Sequence, residues 1–571
     1  MPPARLARRP VPDHGPWPDT VPDVLQRVYA ARGVTGPDEA QLLLARMLAP
    51  DLLGNIDVAV SLLMDAITGD RHIVVVGDFD CDGATGTAVA VRGLKMLGAR
   101  RVSFRVPHRI RHGYGLSAAL VEELVAIGPD LLLTVDSGIA CHAGIAAAKA
   151  HGWQVLVTDH HLPGASLPAA DVIVNPNLRD DRFPSKALAG VGVVFYLLLA
   201  LRRRLRDAGA FTGTEPDLAS LLDLVAVGTV ADLVSLDRNN RLLVSAGLRR
   251  MRQGQCQPGL AALAAVSGRG LEKLTAGDIG FSIAPRLNAA GRLEDMAVGI
   301  ECLLCDDPAR ARELAEALDA INASRRVLQQ EMVDQAETLV HDLQLGDELP
   351  AAFALFDAGW HPGVVGLVAS RLKDRVHRPV VAFAPAEPGA ALLRGSARSI
   401  PGFHVRDALA AVDALHPGLI ERFGGHAMAA GLTLEADKLE TFRAAFDAHA
   451  RSVLADDSLN MRLATDGPLQ SSELVRSLAE ALELAGPWGQ GFEEPVFDNE
   501  FAVREWKLLG GRHLKLVLEH ADGGPSVSAI QFGGWLGQPP PARIHAAYQL
   551  ALDDYGGRKG VQLLVRHWLP A

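Results

Sequence analysis

Three carboxylates on alternate residues are the feature of this chain best suited to chemistry. Asp78, Asp80 and Asp82 follow directly on the apolar residues 74–76. Alternate side chains of an extended segment lie on one side of the chain, so these like charges repel one another unless cations or hydrogen bonds compensate them. Carboxylate oxygens are the ligands that hard divalent ions prefer. We therefore interpret the segment as a metal-binding loop.

Two other motifs begin with similar residues. An EF-hand loop counted from Asp78 requires a bidentate Glu at its twelfth position, where this chain has Val89, and the calcium-loop interpretation fails there. A phosphatase of the haloacid dehalogenase type has a strand followed by Asp-x-Asp-x-Thr or Asp-x-Asp-x-Val. Such a motif would start at Asp80, but its last position is Ala84. This second alternative is weakened and stays open.

Two further apolar runs end in residues that bind metals. Asp136 follows residues 131–135, and the triplet Asp159, His160, His161 follows residues 155–158. Stretches of helical length rich in Ala and Leu lie between the runs, at residues 117–127 and 143–150, which predicts β-α-β units and a parallel sheet. A single Asp at a strand end is most often a turn residue or helix cap. Three such ends in one sheet instead predict a shared site, because ligands collect at the carboxyl ends of parallel strands.

A basic loop and a fourth acidic motif add to this site. The predicted strand 101–106 leads into residues 107–115, which include Arg109 and Tyr114. Arginine pairs with phosphate through two hydrogen bonds and tyrosine stacks on bases, whereas the alternatives are a surface arginine and a tyrosine packed under its loop. Asp232 closes the motif Gly-Thr-Val-Ala-Asp after the apolar residues 221–227, which we interpret as a helix or its end. Taken alone, Asp232 carries no weight.

Taken in order, these segments resemble the DHH phosphoesterase superfamily, which is named after the triplet found here at residues 159–161. The matching segments are Asp-Phe-Asp-Cys-Asp-Gly at 78–83, Asp-Ser-Gly at 136–138 and Gly-Thr-Val-Ala-Asp at 228–232. Residues 284–292, 359–366 and 394–399 resemble one branch, the bacterial exonucleases specific for single strands, and residues 424–431 resemble the signature of the DHH-associated domain. The resemblance spans about residues 50–510, and no presumed ligand departs from it, which argues against an inactive relative.

The resemblance implies a ligand set and a reaction. Two divalent ions are expected, with manganese preferred and magnesium as the alternative, and an imidazole among carboxylates agrees with manganese rather than calcium. The ions would activate a shared water for phosphodiester hydrolysis. The implied ligands are Asp80, Asp82, Asp136 as the bridge, His160 and Asp232, and Asp78 is either a ligand or a neighbour of one. The implied catalytic residues are Asp82, Asp136, His160 and His161, the last of which orients a ligand or contacts the scissile phosphate.

The resemblance also implies a set of DNA-binding residues. They are Arg109, Tyr114, Arg286, Asn288, Ser370, Arg371, Ser396, Arg398 and His426. Within this set, the residues after position 300 are the best candidates for holding a terminal 5′ phosphate.

The predicted fold class is α/β, with five segments. They are residues 1–48 as an N-terminal tail with leading helices, 49–306 as the DHH catalytic domain with its parallel sheet, 307–345 as a long connecting helix, 346–455 as a smaller α/β DHH-associated domain, and 456–571 as an oligonucleotide-binding β-barrel after a polar break near Asp456. The long helix is predicted because residues 309–345 lack Gly and Pro and repeat apolar residues at helical spacing. In the barrel, a single-strand path or an ordinary charged surface is expected at Trp506, Lys507, Arg512, His513 and Lys515.

Composition limits the class of protein. The chain has 571 residues, of which 49% are hydrophobic and 22% charged, as in globular proteins with sizeable cores. The net charge of −11 does not exclude nucleic acid as a partner, because net charge says little about local distribution. The longest apolar stretch, residues 187–201, is shorter than the roughly 20 residues of a membrane span and predicts a core helix.

The termini and the cysteines indicate the compartment. The first 20 residues lack the apolar core of a signal peptide and look like a loose tail. Five cysteines do not suggest a disulfide framework, and Cys302 with Cys305 lacks the second pair of a zinc site. We expect a cytoplasmic protein with no membrane contact.

The expected function is a metal-dependent exonuclease that degrades single-stranded DNA from its 5′ end to mononucleotides, in DNA repair and recombination. Its polarity and strand preference are implied by the resemblance alone, and a groove between the two α/β domains too narrow for a duplex is the expected origin of the preference. Two alternatives remain: a DHH phosphodiesterase acting on short oligonucleotides or cyclic dinucleotides, and a non-catalytic nucleic-acid-binding scaffold. The expected partners are single-stranded DNA, a single-strand-binding protein and a helicase, and a monomer is expected.

Overall fold

The protein is described from a computed structural model that covers residues 5–344, 350–455, 459–535, 537–554 and 559–571, without the side chains of residues 342–344. The strands of this part of the chain are β1 (Arg5–Arg8), β2 (Ile73–Val76), β3 (Val102–Arg105), β4 (Leu131–Val135), β5 (Gln154–Thr158), β6 (Val172–Val174), β7 (Phe353–Phe356), β8 (Val380–Pro385), β9 (Leu392–Arg398), β10 (Arg422–Gly425), β11 (Ala429–Glu435), β12 (Arg462–Thr465), β13 (Phe497–Leu509), β14 (His513–His520), β15 (Val527–Gln531), β16 (Arg543–Asp553) and β17 (Gly560–Pro570). The helices are α1 (Asp23–Ala30), α2 (Pro37–Ala40), α3 (Ile56–Thr68), α4 (Cys81–Met96), α5 (Ala118–Leu124), α6 (His142–Ala150), α7 (Gly190–Asp207), α8 (Leu222–Ala231), α9 (Arg238–Arg252), α10 (Pro258–Val266), α11 (Ala276–Asp278), α12 (Ala284–Leu293), α13 (Ala297–Leu304), α14 (Pro308–Gln344), α15 (Val365–Val376), α16 (Val405–Leu415), α17 (Leu439–Val453) and α18 (Arg476–Leu484).

The described residues form two compact units. The larger unit combines Arg9–Asn322 with Asp466–Ala571, and the smaller unit combines the N-terminal residues up to Arg8 with Ala323–Thr465. The predicted domain boundaries differ from this grouping: the C-terminal segment packs with the catalytic segment, the N-terminal segment is divided after Arg8, and the connecting helix is divided after Asn322. Those boundaries stay a prediction.

A five-stranded sheet in the order β3-β2-β4-β5-β6 organises the larger unit, and every pairing in it is parallel. The predicted α/β class with a parallel sheet is confirmed. Strands β2 and β4 are buried throughout, as expected of parallel strands covered on both faces. Sequence analysis missed β6, because three residues are too few to show a pattern.

Alternate residues of β2 pack into two different cores. Ile73 and Val75 belong to the large core that contains helices α4 and α7, whereas Val74 and Val76 join the core formed with α5 and α6. The sheet is therefore covered by helices on both faces, and only its edges and strand ends remain accessible.

The register of the sheet aligns the ends of its central strands. Val76 of β2 pairs with Thr134 of β4, and Thr134 pairs with Val157 of β5. Asp78, Asp136 and Asp159 each lie two residues beyond one of these aligned positions. The sheet register thus brings the three acidic motifs to one edge.

The C-terminal strands close into a barrel in the order β13-β14-β15-β17-β16, as predicted. The barrel contains one parallel pairing, between β15 and β17, and its other pairings are antiparallel. The segment that leads to it joins the catalytic part directly, since the Leu236 N–H donates to Gln490 O over 2.7 Å. Phe497 and Phe501 of the barrel also belong to the same apolar core as the catalytic helices.

The smaller unit contains a mixed sheet in the order β10-β11-β9-β8-β7, in which only β7 and β8 run parallel. A separate two-stranded parallel sheet joins β1 to β12. The expectation of a loose tail over the first 20 residues is wrong at Arg5–Arg8, because this strand is fixed by a partner more than 450 residues away, which no local pattern reveals.

The long helix α14 runs from Pro308 to Gln344, within one residue of its predicted start. Its predicted last residue, Leu345, and the predicted break near Asp456 lie outside the described residues. The predicted core helix of residues 187–201 is α7, which begins at Gly190. Among the described helices, no single one is long and apolar enough to cross a membrane, although the bent pair Leu44–Leu52 with Ile56–Thr68 meets the criteria of length and composition.

Candidate metal centre and nucleic-acid sites

Acidic and imidazole side chains meet beyond the carboxyl ends of β2, β4 and β5. His160 Nε2 lies 3.0 Å from Asp136 Oδ1, 3.7 Å from Asp232 Oδ2 and 4.0 Å from Asp82 Oδ2. Asp232 arrives from a different direction, as the residue that ends helix α8. Residues that are 150 positions apart in the chain therefore share one small volume.

Helix α4 begins inside this volume and fixes two of the acids. Asp80 is its N-cap, and Asp80 Oδ1 accepts a hydrogen bond from the Gly83 N–H over 3.0 Å. Asp82 lies in the first turn, where negative charge is stabilised by the helix dipole. Its two oxygens accept hydrogen bonds from the N–H groups of Val191 and Gly190, at 2.9 and 2.7 Å, at the start of α7.

The backbone of Asp136 is strained. Its φ of 58° lies in the left-handed region, which costs about 1 kcal/mol or more for a residue other than glycine. The Asp136 N–H is nevertheless held by Thr158 O at 3.0 Å, and its carbonyl accepts a hydrogen bond from the Tyr114 hydroxyl at 3.0 Å. The surrounding structure thus imposes a conformation that aims this carboxylate into the cluster.

Three overlapping groups of side chains in the described part of the chain could hold a metal ion. In each group the ligand atoms lie within 4.8 Å of one another. Asp136 and His160 each belong to two groups. The groups are Asp78, Asp80 and Asp136; Asp82, His160 and Asp232; and Asp136, His160 and His161.

The electrostatics of the cluster favour a bound cation. Burial, reinforced by neighbouring carboxylates, raises the pKa of Asp82 and that of Asp136 well above their usual range. The same causes raise the pKa of Asp78 to about 8 and that of Asp232 to about 7. Each raised pKa means that the charged form is disfavoured until positive charge enters the site.

The donor set fits divalent ions. Oδ1 of Asp78 and Oδ1 of Asp136 are buried and accept no hydrogen bond from the described residues. Buried carboxylate oxygens without a donor are costly unless they coordinate a metal. Oxygen ligands with one or two imidazoles suit manganese or magnesium better than a thiolate-selective metal. Neither Cys302 nor Cys305 belongs to a candidate metal group among the described residues.

Asp159, which sequence analysis did not include among the site residues, orients the histidine pair. Its Oδ1 accepts hydrogen bonds from the His160 N–H, the His161 N–H and His161 Nδ1, at 2.7, 3.0 and 2.8 Å. Its Oδ2 accepts from the Ile139 N–H at 2.9 Å. The sequence signal that could have identified Asp159 was its position as the first residue of the Asp-His-His triplet.

The contact with Asp159 also sets the charge of His161. Burial opposes the charged imidazole, but the hydrogen bond with Asp159 outweighs it and raises the pKa of His161 to about 9. Burial likewise opposes charge on Asp159, and the same hydrogen bond nevertheless lowers the pKa of that carboxyl. His161 is therefore a cation at neutral pH, next to the acidic cluster.

The two predicted DNA-contacting residues of the basic loop make protein contacts. The Tyr114 ring packs edge-on against Phe79 and His161, with centroids 6.3 and 5.8 Å apart, although the residue remains half exposed. The Arg109 guanidinium lies 3.8 Å above the centre of the Phe79 ring, and its Nε donates to Gly291 O over 2.8 Å. Arg109 is thus largely occupied within the protein.

Arg286 and Asn288, also predicted to bind DNA, lie on α12 and contact the protein. Arg286 is buried, and its Nε donates to Asp319 Oδ1 of α14 over 2.8 Å. Asn288 Oδ1 accepts a hydrogen bond from the Cys81 N–H over 2.9 Å. Asn288 therefore contacts the start of α4, whereas Arg286 joins α12 to α14.

A second polar site lies in the smaller unit, at the start of helix α15. A β-carbon on Gly366, in the first turn, would be 2.9 Å from both Arg398 Nη2 and Ser396 Oγ, so these side chains lie directly against the turn. The helix has no side-chain cap, and the N-terminus of a helix favours an anion. Burial lowers the pKa of the Arg398 guanidinium, which an anionic partner would relieve.

The other predicted residues of this site surround it unevenly. The His426 N–H donates to Ala429 O over 2.8 Å, and Ala429 pairs in register with Arg398, so His426 is near. Ser370 and Arg371 lie farther along α15. Two arginines of α14, Arg325 and Arg326, were missed by sequence analysis: burial and then the positive charges of Arg326 and Arg371 lower the pKa of Arg325. The only sequence signal for these two residues was that they are adjacent arginines on a long helix.

The barrel carries an exposed aromatic surface. The rings of Trp506 and Trp535 are stacked with centroids 5.8 Å apart and an interplanar angle of 19°. Phe532, which is exposed, packs edge-on against His513 at 5.4 Å. The remaining predicted residues of the path lie on β13 and β14 or between them: Lys507, Arg512 and Lys515.

Comparison with known proteins agrees with this arrangement. Residues 72–229 match the DHH family N-terminal domain, residues 348–452 match the DHHA1 domain, and residues 465–567 match the RecJ OB domain. The chain is 49% identical over 573 aligned positions to the single-stranded-DNA-specific exonuclease RecJ of Dickeya dadantii, covering 99% of both chains. The chain belongs to the RecJ family. The predicted resemblance is thereby confirmed.

Solved structures of the RecJ family extend the comparison to metals. The crystal structure of RecJ from Thermus thermophilus in complex with Mn²⁺ matches 97% of this chain and 76% of its own, with 32% identity and a TM-score of 0.80. The Mg²⁺ complex of the same protein matches with 30% identity and a TM-score of 0.76, over 97% of this chain and 75% of its own. The two metals predicted from the sequence are therefore those found in structures of RecJ relatives.

Proposed function

We propose that this protein is a metal-dependent exonuclease that removes nucleotides from the 5′ end of single-stranded DNA. The observation that carries the proposal is the convergence of five carboxylates and two imidazoles in overlapping groups with ligand atoms within 4.8 Å. The names of the RecJ relatives support the substrate, and the Mn²⁺ and Mg²⁺ complexes support the metals.

The ligand roles follow from how the groups overlap. Asp78, Asp80 and Asp136 would hold one ion, and Asp82, His160 and Asp232 the other. Asp136 belongs to the first of these groups and its Oδ1 lies 3.0 Å from His160 Nε2 of the second, which supports it as the bridging ligand. Two divalent ions in such a site supply an activated water and neutralise charge on the phosphate and the leaving oxygen.

His161 acts beside the metals rather than on them. In the metal-free protein the hydrogen bond with Asp159 raises the pKa of His161 to about 9, and the same bond fixes its ring. A fixed imidazolium at this edge stabilises the negative charge that develops on the phosphate oxygens during hydrolysis. Asp159 is then a positioning residue for His161.

The smaller unit supplies the preference for a 5′ end. Ser396 and Arg398 at the first turn of α15 form a phosphate site of the kind found at helix N-termini. His426, Ser370 and Arg371 would contribute further polar groups, and Arg325 and Arg326 would add positive charge. A terminal phosphate carries more negative charge than an internal one, so this site favours chain ends.

The barrel would bind the single strand through its bases and backbone. Stacked Trp506 and Trp535, with His513, Lys507, Arg512 and Lys515 nearby in sequence, offer aromatic faces and positive charge, which bind bases and backbone without regard to sequence. A single-strand-binding protein and a helicase, which expose and present single strands, are the proposed partners of a monomeric enzyme. Sedimentation velocity and pull-down with each partner test these two statements.

The decisive experiment is digestion of single-stranded DNA labelled separately at each end, with manganese present. Stepwise release from the 5′ end of single strands, with no release from a duplex, is the expected result. Asp136→Ala protein and a chelator are the controls. Release from the 3′ end would overturn the polarity, and full activity after thorough chelation would overturn the metal mechanism. Activity confined to dinucleotides would instead identify the protein as an oligonucleotide phosphodiesterase.

A further inference from the structure

Helix α12 contacts the metal-binding loop at Asn288 and at Gly291. The first contact is the hydrogen bond from the Cys81 N–H to Asn288 Oδ1, 2.9 Å long. Cys81 is the first residue of α4 and stands between Asp80 and Asp82. An N–H in the first turn has no partner within its own helix. Asn288 therefore fixes the peptide bond that joins Asp80 to Cys81.

The second contact is a close approach of the two backbones. A β-carbon on Gly291 would lie 1.8 Å from Phe79 O, a distance at which the backbones would have to separate. Phe79 stands between Asp78 and Asp80. Glycine at position 291 thus allows α12 to lie against Phe79, two residues before Cys81.

The third contact is made by Arg109, which touches both α12 and the loop. Arg109 Nε donates to Gly291 O over 2.8 Å, while its guanidinium covers the Phe79 ring at 3.8 Å. Phe79 is 7% exposed, so the ring is enclosed by Arg109, Tyr114 and the loop itself. Arg109 therefore clamps the loop to α12.

The far side of α12 is anchored to the long helix. Arg286 Nε and Nη2 both lie 2.8 Å from Asp319 Oδ1, and Arg286 Nη1 donates to Ser282 O over 2.5 Å. Arg286 is 7% exposed, whereas the Asp319 side chain is 42% exposed, so the ion pair is only partly buried. The segment Ile279–Ile283 before α12 is a π-helical turn, a form common at functional sites.

We propose that α12 is a bracket for the metal-binding loop, and that Asn288 is its positioning residue. The acids of this loop repel one another before metal binds, so the loop needs an external support to hold them ready. Asn288 supplies that support through one acceptor atom, and Arg109 and Gly291 hold the neighbouring peptide. The proposal rests on the proposed metal function and assigns Asn288 and Arg109 to metal binding instead of to contact with DNA.

Two substitutions at one position test the acceptor atom. Asn288→Leu and Asn288→Asp both remove the side-chain amino group, but only Asp keeps an oxygen where the Cys81 N–H needs one. We expect Asn288→Leu to weaken Mn²⁺ binding by about 10- to 100-fold, as outer-shell substitutions do. Asn288→Asp should bind at least as tightly as the wild type. Glu294→Gln, at an exposed position just past α12, is the matched control and should not change the affinity.

Titration calorimetry with manganese alone measures the affinity, and steady-state kinetics separates positioning from DNA contact. In Asn288→Leu, saturating manganese should restore kcat and leave the KM for DNA unchanged. A raised KM for DNA at saturating manganese would overturn the proposal. Equal loss of Mn²⁺ affinity in both variants would also overturn it, because the acceptor would then not be the cause.

Hydrogen exchange in the metal-free protein tests the bracket independently of any metal. The amides of residues 79–83 should exchange faster in Asn288→Leu than in the wild type or in Asn288→Asp, while the amides of β4 stay protected. Unchanged exchange at residues 79–83 would overturn the bracket. If the wild type binds no manganese while Asn288→Leu still exchanges faster at residues 79–83, the proposed function is overturned. The support of the loop by α12 then still holds.

Discussion

Gly190 lies against Asp136 so closely that a β-carbon at position 190 would stand 2.6 Å from the Asp136 Cβ. The Gly190 N–H also donates to Asp82 Oδ2 over 2.7 Å. One residue at the start of α7 therefore holds one ligand by its N–H and leaves room for another by having no side chain.

Gly190→Ala should displace Asp136 and weaken Mn²⁺ binding, by about the 10- to 100-fold seen when residues that support a metal ligand are changed. Titration calorimetry measures the effect. Gly192→Ala on the same helix is the control, because its new β-carbon would meet the flexible Leu188 side chain at 2.6 Å instead of a ligand. A Gly190→Ala protein with wild-type affinity would contradict the role of this contact.

Asp136→Asn should abolish digestion of single-stranded DNA while leaving the fold intact. An amide is a poor replacement for a bridging carboxylate, whereas asparagine tolerates the left-handed backbone at φ 58° better than most residues. Activity should fall by more than the 10- to 100-fold typical of outer-shell positions. Circular dichroism and a thermal melt check the fold, and retained turnover would exclude Asp136 as the bridge.

The metal-free protein should lose stability as pH rises from about 4, the usual pKa of Asp, to about 8. Asp232 and Asp78 have pKa values of about 7 and about 8 in the folded protein, above the usual range of an unfolded Asp. The folded state thus binds more protons than the unfolded state, and this stabilisation is lost as the pH passes the folded pKa values.

Manganese should reverse that trend. Because the ion replaces the protons, the increase in melting temperature on adding Mn²⁺ should be larger at pH 8.5 than at pH 6. Differential scanning fluorimetry over this pH series provides the measurement. A manganese-induced shift that shrinks with rising pH would contradict the raised pKa values.

Arg398→Gln should lower activity on strands with a 5′ phosphate and have little effect on strands with a 5′ hydroxyl. The substitution removes the charge beside the first turn of α15 that would pair with the phosphate. Comparing kcat/KM for the two kinds of end measures the preference. Arg375→Gln is the control, because Arg375 is an exposed residue of the same helix paired with Glu337. Equal losses on both ends would remove Arg398 from phosphate recognition.

Trp506→Ala should weaken binding of long single strands by about 1–3 kcal/mol, the usual contribution of one base stacked on an aromatic ring. Fluorescence anisotropy with strands of increasing length measures it, and strands too short to reach the barrel should be unaffected. Leu484→Ala, an exposed apolar residue of the larger unit outside the barrel, serves as the control. If binding weakens equally for strands of all lengths, Trp506 does not lie on the path of the single strand along the barrel.

The central sheet could be predicted from the sequence because β2, β4 and β5 are buried on both faces. Such strands read as uninterrupted apolar runs, and the first polar residues after them mark the edge where ligands gather. Asp78, Asp136 and His160 were found in this way. Asp232 was found only through resemblance, since α8 is apolar on all sides and its pattern does not indicate which end meets the site.

Contacts between distant segments could not be predicted. Nothing near Asn288 in sequence indicates that its side chain holds Cys81, and nothing near Arg109 indicates that it covers Phe79. A basic residue in a loop looks the same whether it awaits a phosphate or packs on an aromatic ring. The pairing of Arg5–Arg8 with β12 escaped prediction for the same reason.

The larger unit is discontinuous in sequence, because Asp466–Ala571 joins Arg9–Asn322 across an intervening unit. Its halves share a core, and Arg32 pairs with Asp466 at 2.7 Å with both side chains 1% exposed. A gene fragment that stops at Asn322 therefore encodes an unfinished hydrophobic core and a buried guanidinium without its carboxylate. A shorter protein that keeps this core complete would lack residues 323–465 and would join Asn322 to Asp466 through a designed linker.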